Sequence, residues 1–510
     1  MSKTNWRGCL FGVAAICMFA GPAFAGDGAS SAQGESGDKI ARLETLLNAQ
    51  QGKIEALEDQ LVAASAQDQD AARVEAIKEQ IHEIFSEQEF RESLMLSTMQ
   101  AGYDKGFFIK SSDENFLMKI GALMQFRWTH YEAQRRNHYL RPRENRNDRT
   151  GFDFQRLRIN FKGHAFDPNL TYFLELRSDS ATGAAYDTIL SWAYIDYKFC
   201  DEFHFRAGKF KSASTRANTT GHSQLQFMSR PMVDAVFGLG FNLGVRFWGQ
   251  LADKQVDWYF DVTNSFAEGE NFGGGRTITN DPAELDNNPA LAFRVVWHAL
   301  GDDPGQDFKS QSDIEMHDTP ALDIGFHAAF NEDEYDARST RIPFPLTRRA
   351  LGQGGYGLTN TNGCQITQFG LDTAFKYMGF SATGEYMLRM VDPRRATRRP
   401  FTPWWLLTRQ GDTTVQHGAY LQLGYFLPIP GLEEKLEAVA RVGGISALAN
   451  GQEGSWEYSG GMNYYIEGQN VKLQADITKV YEAPISSAYK SLANVNDDAL
   501  IFRVQLQLAF

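Results

Sequence analysis

Arginine is the residue of this chain best placed to do chemistry by position. Arg156 and Arg158 stand two apart in FQRLRINFKG, and Lys162 and His164 continue the same parity. Arginines also crowd three polar stretches. RRNHYLRPRENRNDR holds Arg135, Arg136, Arg141, Arg143, Arg146 and Arg149, RIPFPLTRR holds Arg341, Arg348 and Arg349, and PRRATRR holds Arg394, Arg395, Arg398 and Arg399. A guanidinium can give two parallel hydrogen bonds to one oxyanion, so such groups in series suit anion binding. An anion about 4 Å from one guanidinium gains roughly 1 kcal/mol in bulk water and about 4 kcal/mol where the effective dielectric falls near 20. Several weak, staggered sites also let a solute leave as well as enter. Bond-making chemistry has no comparable support. The histidines are scattered, HExxH is absent, and GQGGYG lacks the leading strand and following helix of a nucleotide cradle. Cys200 and Cys364 stand in unrelated contexts with no metal-ligand spacing. The expectation is a protein with no catalytic residues, no metal and no cofactor, and not an enzyme.

Such charges need elements to aim them, and the elements here have period 2. In NFLMKIGALMQFRWTHYE the even positions Phe116, Met118, Ile120, Met124, Phe126 and Trp128 form an apolar row, and Lys119, Gln125 and Arg127 point the other way. The next segment reverses the parity, with Leu157, Ile159 and Phe161 against Arg156, Arg158 and Lys162. The chain ends the same way: Phe502, Val504, Leu506, Leu508 and Phe510 alternate with Arg503, Gln505 and Gln507. Sixteen such rows can be read from residue 115 onward, near 170–179, 188–199, 203–211, 241–252, 256–264, 290–299, 321–330, 365–376, 379–391, 414–427, 435–446, 456–466 and 471–482 between those three. The same parity points Arg246, Arg294, Arg389, Arg441 and Arg503 inward, with Glu175 and Asp179 among them.

The links between rows alternate in length. DPN, CDE, ADK, YMG, PIPGLE and EGQN are short, and 133–150, 212–240, 265–289, 331–364, 392–413 and 483–499 are long. GDDPGQDFKSQSDIEMHDTP breaks the rule, being long where a short turn is due. Short turns on one rim and long loops on the other mark a transmembrane barrel, whose strands must close because hydrocarbon tolerates no unpaired edge. The reading is a 16-stranded antiparallel up-and-down β-barrel with an aqueous bore, in contact with outer-membrane lipid and lipopolysaccharide. A mean hydropathy of -0.39 is compatible with this, because alternation hides the lipid-facing residues from any average. A net charge of -13 argues against nucleic acid as a partner, and none is expected.

The first 114 residues follow other rules. Lys3 and Arg7 precede an apolar stretch that ends in Ala23-Phe24-Ala25, a secretory signal over 1–25. A linker at 26–37 leads to a periplasmic coiled-coil segment at 38–92. Its first seam steps by three and four through Ile40, Leu43, Leu47, Gln50, Ile54, Leu57, Leu61 and Ala64. A second seam, out of phase, runs through Val74, Ile77, Ile81 and Ile84, and 93–114 is a second linker before the barrel at 115–510. Polar residues on the other faces favour helices meeting in a homo-oligomer, a homotrimer for so Ile-rich a seam, with cell-wall contact open as a role.

From about Gly102 to Phe510 the chain resembles the phosphate-selective porins of the O and P type. The resemblance rests on GYDKGFFIKSSDENFLMKIGALMQFRW, on FQRLRINFKG, and on FHFRAGKFKSASTRANTTGHSQLQFMSRP. It implies passive diffusion of phosphate or other small anions across the outer membrane, past a loop folded into the bore. Gly208-Lys209-Phe210 matches the strand end before that loop, and Arg230 the basic residue at its narrowest point. The family's Gly-Leu-Glu is replaced by Thr215-Arg216-Ala217, and Asn218 stands where phosphate-specific members carry Lys, with Arg216 as the compensating cation. The implied pore residues are Lys119, Arg127, Arg156, Arg158, Lys162, Lys209, Arg216 and Arg230, joined by Arg341, Arg348, Arg349, Arg394, Arg395, Arg398 and Arg399 descending from the loops. The alternative is an envelope anchor, a barrel tethered by its coiled coil with little selective transport.

The purified chain is expected to need detergent to stay monodisperse and to give a strand-dominated circular dichroism spectrum; a helix-dominated one would rule the barrel out.

Overall fold

A computed structural model describes residue 56 and residues 99–103, 106–134, 148–178, 188–264, 289–334, 363–393, 413–446, 453–484 and 498–510. The signal sequence, the coiled-coil seams, Asp179 and the arginines at 135–146, 341–349 and 394–399 lie outside the described residues. Two compact units divide the chain, one containing 109–116 and the other 117–510. In the first, Ser111 and Asp113 make a tight turn, with the Phe116 amide donating to Ser111 Oγ at 3.0 Å and the Asn115 amide to Asp113 Oδ1 at 3.1 Å.

Two four-residue strands, β1 (Gln100–Tyr103) and β2 (Phe107–Lys110), occur where a plain linker was expected. The sixteen long strands that follow are those the alternation picks out. They are β3 (Phe116–Gln134), β4 (Arg149–Ala165), β5 (Asp167–Arg177), β6 (Ile189–Cys200), β7 (Phe203–Lys211), β8 (Phe241–Leu251), β9 (Val256–Thr263) and β10 (Ala290–Leu300). The second half comprises β11 (Ala321–Glu334), β12 (Gly363–Tyr377), β13 (Phe380–Pro393), β14 (Thr414–Phe426), β15 (Leu436–Ile445), β16 (Ser455–Glu467), β17 (Val471–Tyr481) and β18 (Asp498–Ala509). Each pairs with the next, and β18 pairs antiparallel with β3, Phe502 opposite His130 and Leu508 opposite Met124, which closes the cylinder.

Closure sorts the side chains by parity. Along β18, Val504 is 40% and Leu506 49% exposed, whereas Gln505 and Gln507 are both 0%. Ring contacts continue the outward layer from strand to strand, as with Phe126 stacked on Phe152 at 5.5 Å. A lipid-facing surface explains why so many large apolar side chains lie open while glutamines and arginines are buried. One small difference from the sequence reading is that β4 begins at Arg149, two residues inside the link read at 133–150, so the last arginine of that stretch is strand.

The short-turn rim is built as two-residue loops demand. Between paired Tyr377 and Phe380, Met378 and Gly379 have φ of 48° and 76°, the doubly positive pair of a type I′ hairpin.

Val504→Arg, near the middle of β18 on the outer face, should cost roughly 2–4 kcal/mol of barrel stability, whereas the same change at Leu508, nearer the rim, should cost about 1 kcal/mol or less. Urea unfolding from phospholipid vesicles measures both.

Candidate functional site

A bore enclosed by sixteen strands is too wide for wall side chains to fill, and here two chain segments turn into it. The first leaves β7. Gly208 has φ +135°, and a Cβ there would lie 2.3 Å from the Ala193 carbonyl oxygen, so the strand end requires glycine. Lys211 O accepts Arg246 Nη2 at 2.6 Å, and the Ser212 amide donates to Gly240 O at 3.0 Å, which closes the neck of an inward loop from Ser212 to Gly240. Thr215 Oγ1 caps the four-residue helix Arg216–Thr219 by accepting the Asn218 amide at 2.9 Å. A second helix, Met232–Phe237, is buried at every position, with Phe237 over the Arg389 guanidinium at 4.6 Å.

The loop is fastened around most of the wall. Arg156 Nη1 donates to Met228 O at 3.2 Å, Lys472 Nζ to Leu225 O at 2.7 Å, Asn463 Nδ2 to Gln226 O at 2.9 Å and Arg389 Nη2 to Val236 O at 2.7 Å. In the opposite sense, Glu385 accepts the amides of Arg216 and Ala217 at 2.8 and 2.7 Å, and Glu457 Oε2 that of Met232 at 3.0 Å. Arg216 is the hub. Its Nε donates to Asp372 Oδ1 at 2.7 Å and its Nη1 to Asp323 Oδ2 at 3.1 Å, and Asp372 also meets Arg294 at 2.7 Å. Burial works against the Arg216 charge, and the carboxylates of Asp372 and Asp323 outweigh it, so its pKa stands above the ordinary arginine value.

The second segment is the one that broke the loop rule. Residues 301–320 turn into the bore instead of making a short hairpin. Ser312 and Asp313 are both 0% exposed. Ser312 Oγ donates to Glu437 Oε2 at 3.0 Å, Asp313 Oδ2 accepts the Gly379 amide at 2.8 Å, and Gln469 Nε2 donates to Ser310 Oγ at 2.8 Å. The two segments meet at Gln311, whose amide donates to Gln224 O at 3.1 Å and whose Oε1 accepts the Gln226 amide at 3.0 Å.

The residues singled out from sequence take different places in this arrangement. Arg127 forks onto Asp153 at 3.0 and 2.7 Å, Arg158 meets Glu175 at 2.9 Å, and Arg156 also donates to Gln125 Oε1 at 2.8 Å. Lys209 is buried at the end of β7, Lys119 is half-buried, and Lys162 is exposed. Arg230 donates Nε to Ala217 O at 2.6 Å and Nη2 to Thr220 O at 2.9 Å, so it ties its own loop together. Further inward arginines are matched by carboxylates: Arg246 by Asp261 at 2.6 Å, Arg441 by Glu457 at 2.5 Å and Arg503 by Asp476 at 2.7 Å. Two lysines that were not singled out behave otherwise. Lys376 Nζ donates to Asp307 O at 2.5 Å, and Lys472 Nζ to carbonyls and Gln469 Oε1, and among the described residues neither forms an ion pair. Inward parity on β12 and β17 carried the signal for both.

Asp372→Asn leaves Arg216 and Arg294 buried with one full carboxylate fewer. Breaking a buried pair from one side costs roughly 3–5 kcal/mol, so the loop should loosen and trypsin should cut after Arg216 or Arg230 in the folded barrel, sites that the unaltered protein protects.

The family model described as "Phosphate-selective porin O and P" matches residues 125–288. A protein of Aquifex aeolicus is 27% identical over 190 residues, 35% of this chain and 43% of that relative, so the chain spans less than half the length of the curated relative it matches. Among solved structures, OprB of Pseudomonas putida at high pH gives a TM-score of 0.45 at 9% identity, covering 76% of this chain and 94% of that one. The outer membrane channel DcaP of Acinetobacter baumannii gives 0.44 at 10%, covering 81% and 100%. The trimer form of OmpT of Vibrio cholerae gives 0.43 at 10%, covering 77% and 99%. Residues 125–288 thus match the family model of the phosphate-selective porins O and P, and they lie within a sixteen-stranded antiparallel β-barrel.

Proposed function

We propose that the chain forms an outer-membrane pore for passive diffusion of small anions, phosphate or related oxyanions. The observation that supports this reading is that Lys376 and Lys472, turned inward on β12 and β17, are held at hydrogen-bond distance by neutral oxygens, with Asp307, Asp313 and Glu437 acting on them only from further off. Their ammonium groups bond neutral oxygens, whereas seven of the inward arginines, Arg127, Arg158, Arg216, Arg246, Arg294, Arg441 and Arg503, face carboxylates, and Arg156 and Arg389 bond the amides of Gln125 and Gln368 and carbonyls of the inward loop. Fixed positive charge inside low-dielectric walls attracts anions and repels cations far more strongly than the same charge in open water. The paired arginines have a different duty, holding the loop and wall in one geometry so that the passage keeps a fixed width. The loop arginines Arg341, Arg348, Arg349, Arg394, Arg395, Arg398 and Arg399 are proposed as the collecting surface above it. A homotrimer, favoured by the Ile-rich seam of the N-terminal segment, completes the proposal.

The envelope anchor remains the second reading, favoured by how fully the two inward segments occupy the bore. Planar-bilayer recording separates them: a pore gives measurable single-channel current, and an anchor gives little current together with an envelope-attachment defect when residues 38–64 are deleted.

In a potassium chloride gradient the reversal potential should report anions passing in preference to cations. Lys472→Glu, which places a carboxylate against the Leu225 carbonyl, should lower the anion-to-cation permeability ratio several-fold; cation preference in the unaltered protein would defeat the proposal.

A further inference from the structure

The two inward segments lean to one side of the bore. Their hydrogen bonds to the wall fall mainly on β4 and β12–β18, where inward residues such as Gln368, Arg389, Glu437 and Lys472 are each 0% exposed. Against β8 and β9 the loop is tied at its neck, by Arg246 to the Lys211 carbonyl and by Asp261 to the Ala213 amide. Along β5–β9 the inward face stays half-buried instead of covered, which leaves the open side of the bore there among the described residues.

That face carries a strip of flat side chains, one from each strand in turn: Phe173, Tyr194, Arg206, Trp248 and Tyr259. Register sets their direction, since Arg206 pairs across with the inward Arg246, Phe173 with Tyr194 and Trp248 with Tyr259. Phe173 and Tyr194 lie nearly parallel, 14° apart at 5.6 Å, and Trp248 and Tyr259 13° apart at 6.2 Å. The Arg206 guanidinium joins the two pairs, 3.9 Å from the Tyr194 ring centroid and 5.5 Å from that of Trp248. Its charge is met by Asp196, which accepts Arg206 Nε at 2.7 Å and Trp248 Nε1 at 2.8 Å. Among the described residues, the Arg206 Nη groups and the Tyr194 hydroxyl have no hydrogen-bond partner. Lys162 stands exposed at the β4 end, opposite Phe173, and adds a further donor.

We propose that this strip is a binding track for a neutral sugar ring passing through the bore. The C–H face of a pyranose lies flat on aromatic faces, and its ring and hydroxyl oxygens accept from donors at the edge. The strip offers both together, with its guanidinium charge already met. An inorganic anion would use the donors and leave the rings idle, and a bare aromatic solute the reverse. Two ring pairs spread over five strands give several shallow stations, which suits a solute that must move on. The proposal requires an open bore and does not rest on the anion reading.

The test uses the purified full chain in planar bilayers, with glucose titrated against potassium chloride current and sorbitol, its open-chain reduced form, titrated alongside. Glucose should lower the current to a saturating limit, and sorbitol should lower it only in proportion to viscosity. The half-saturating glucose concentration should rise about fivefold for Tyr194→Ala and for Trp248→Ala, the loss of one stacking face, and by about twofold or less for Trp248→Phe, which keeps a ring. Equal action of glucose and sorbitol in the unaltered protein overturns the track, as does an unchanged half-saturation in both alanine variants; neither result touches the anion preference. Lack of current in the unaltered protein closes the bore and overturns the track with it. Should the alanine variants fail the heat-shift electrophoresis test of a folded barrel, Arg206→Lys decides. It keeps a cation for Asp196 and removes the flat face between the ring pairs, so it should raise the half-saturation several-fold, and no change there counts against the track.

Discussion

Everything in this molecule follows from the intolerance of hydrocarbon for unpaired backbone groups. An amide or carbonyl left open at a strand edge in lipid costs several kcal/mol, so amphipathic strands in a bilayer must pair on both sides until the sheet meets itself. Here the seam is β18 against β3, with Arg503 opposite Thr129 and Val504 opposite Trp128, which puts the arginine in the bore and the valine in lipid without any break in the ladder. Closure at sixteen strands creates the next problem. The bore is too wide for wall side chains to fill, and the two inward segments bring backbone into it.

Bringing backbone into a bore requires partners for its polar groups, and that need explains the chemistry of the wall. The carbonyls of Met228, Leu225, Gln226 and Val236 are taken by Arg156, Lys472, Asn463 and Arg389, and the amides of Arg216, Ala217 and Met232 by Glu385 and Glu457. Acidic residues are therefore as necessary as basic ones. Charges buried singly would be expensive, and the pairs Arg246 with Asp261 and Arg503 with Asp476 show each guanidinium forked onto its carboxylate, the geometry that best offsets desolvation. An arginine counted in the lumen is thus not automatically a site for solute. Lys472 both holds the loop carbonyls and, among the described residues, forms no ion pair, and only geometry shows which partner each cation has.

Much of the fold was legible because period 2 and loop length are local properties. All sixteen barrel strands answer to rows of alternating residues, since each strand must show lipid one face and water the other. Arg127, Arg156 and Arg158 were correctly turned inward by the same count, and so were Arg246, Arg294, Arg389, Arg441 and Arg503. Less legible were β1 and β2, four residues each, too short for any period to show. Lys376 and Lys472 had the parity but sat beside no cluster that drew attention to them. Arg230, read as a pore residue, also gives hydrogen bonds to Ala217 and Thr220, because a loop hung across open space needs internal ties.

The sequence by itself determined the strand number, the face each strand shows to lipid and the rim on which the long links lie, because alternation and link length are written into neighbouring residues. What only the tertiary structure decided is who stands opposite whom. Arg216 is 156 positions from Asp372, and Gln311 is 85 from Gln226. Nor could any local pattern show that residues 301–320 leave the rim and enter the bore. Pairings across a closed cylinder depend on register and curvature summed over many strands, and no short stretch of chain contains that sum.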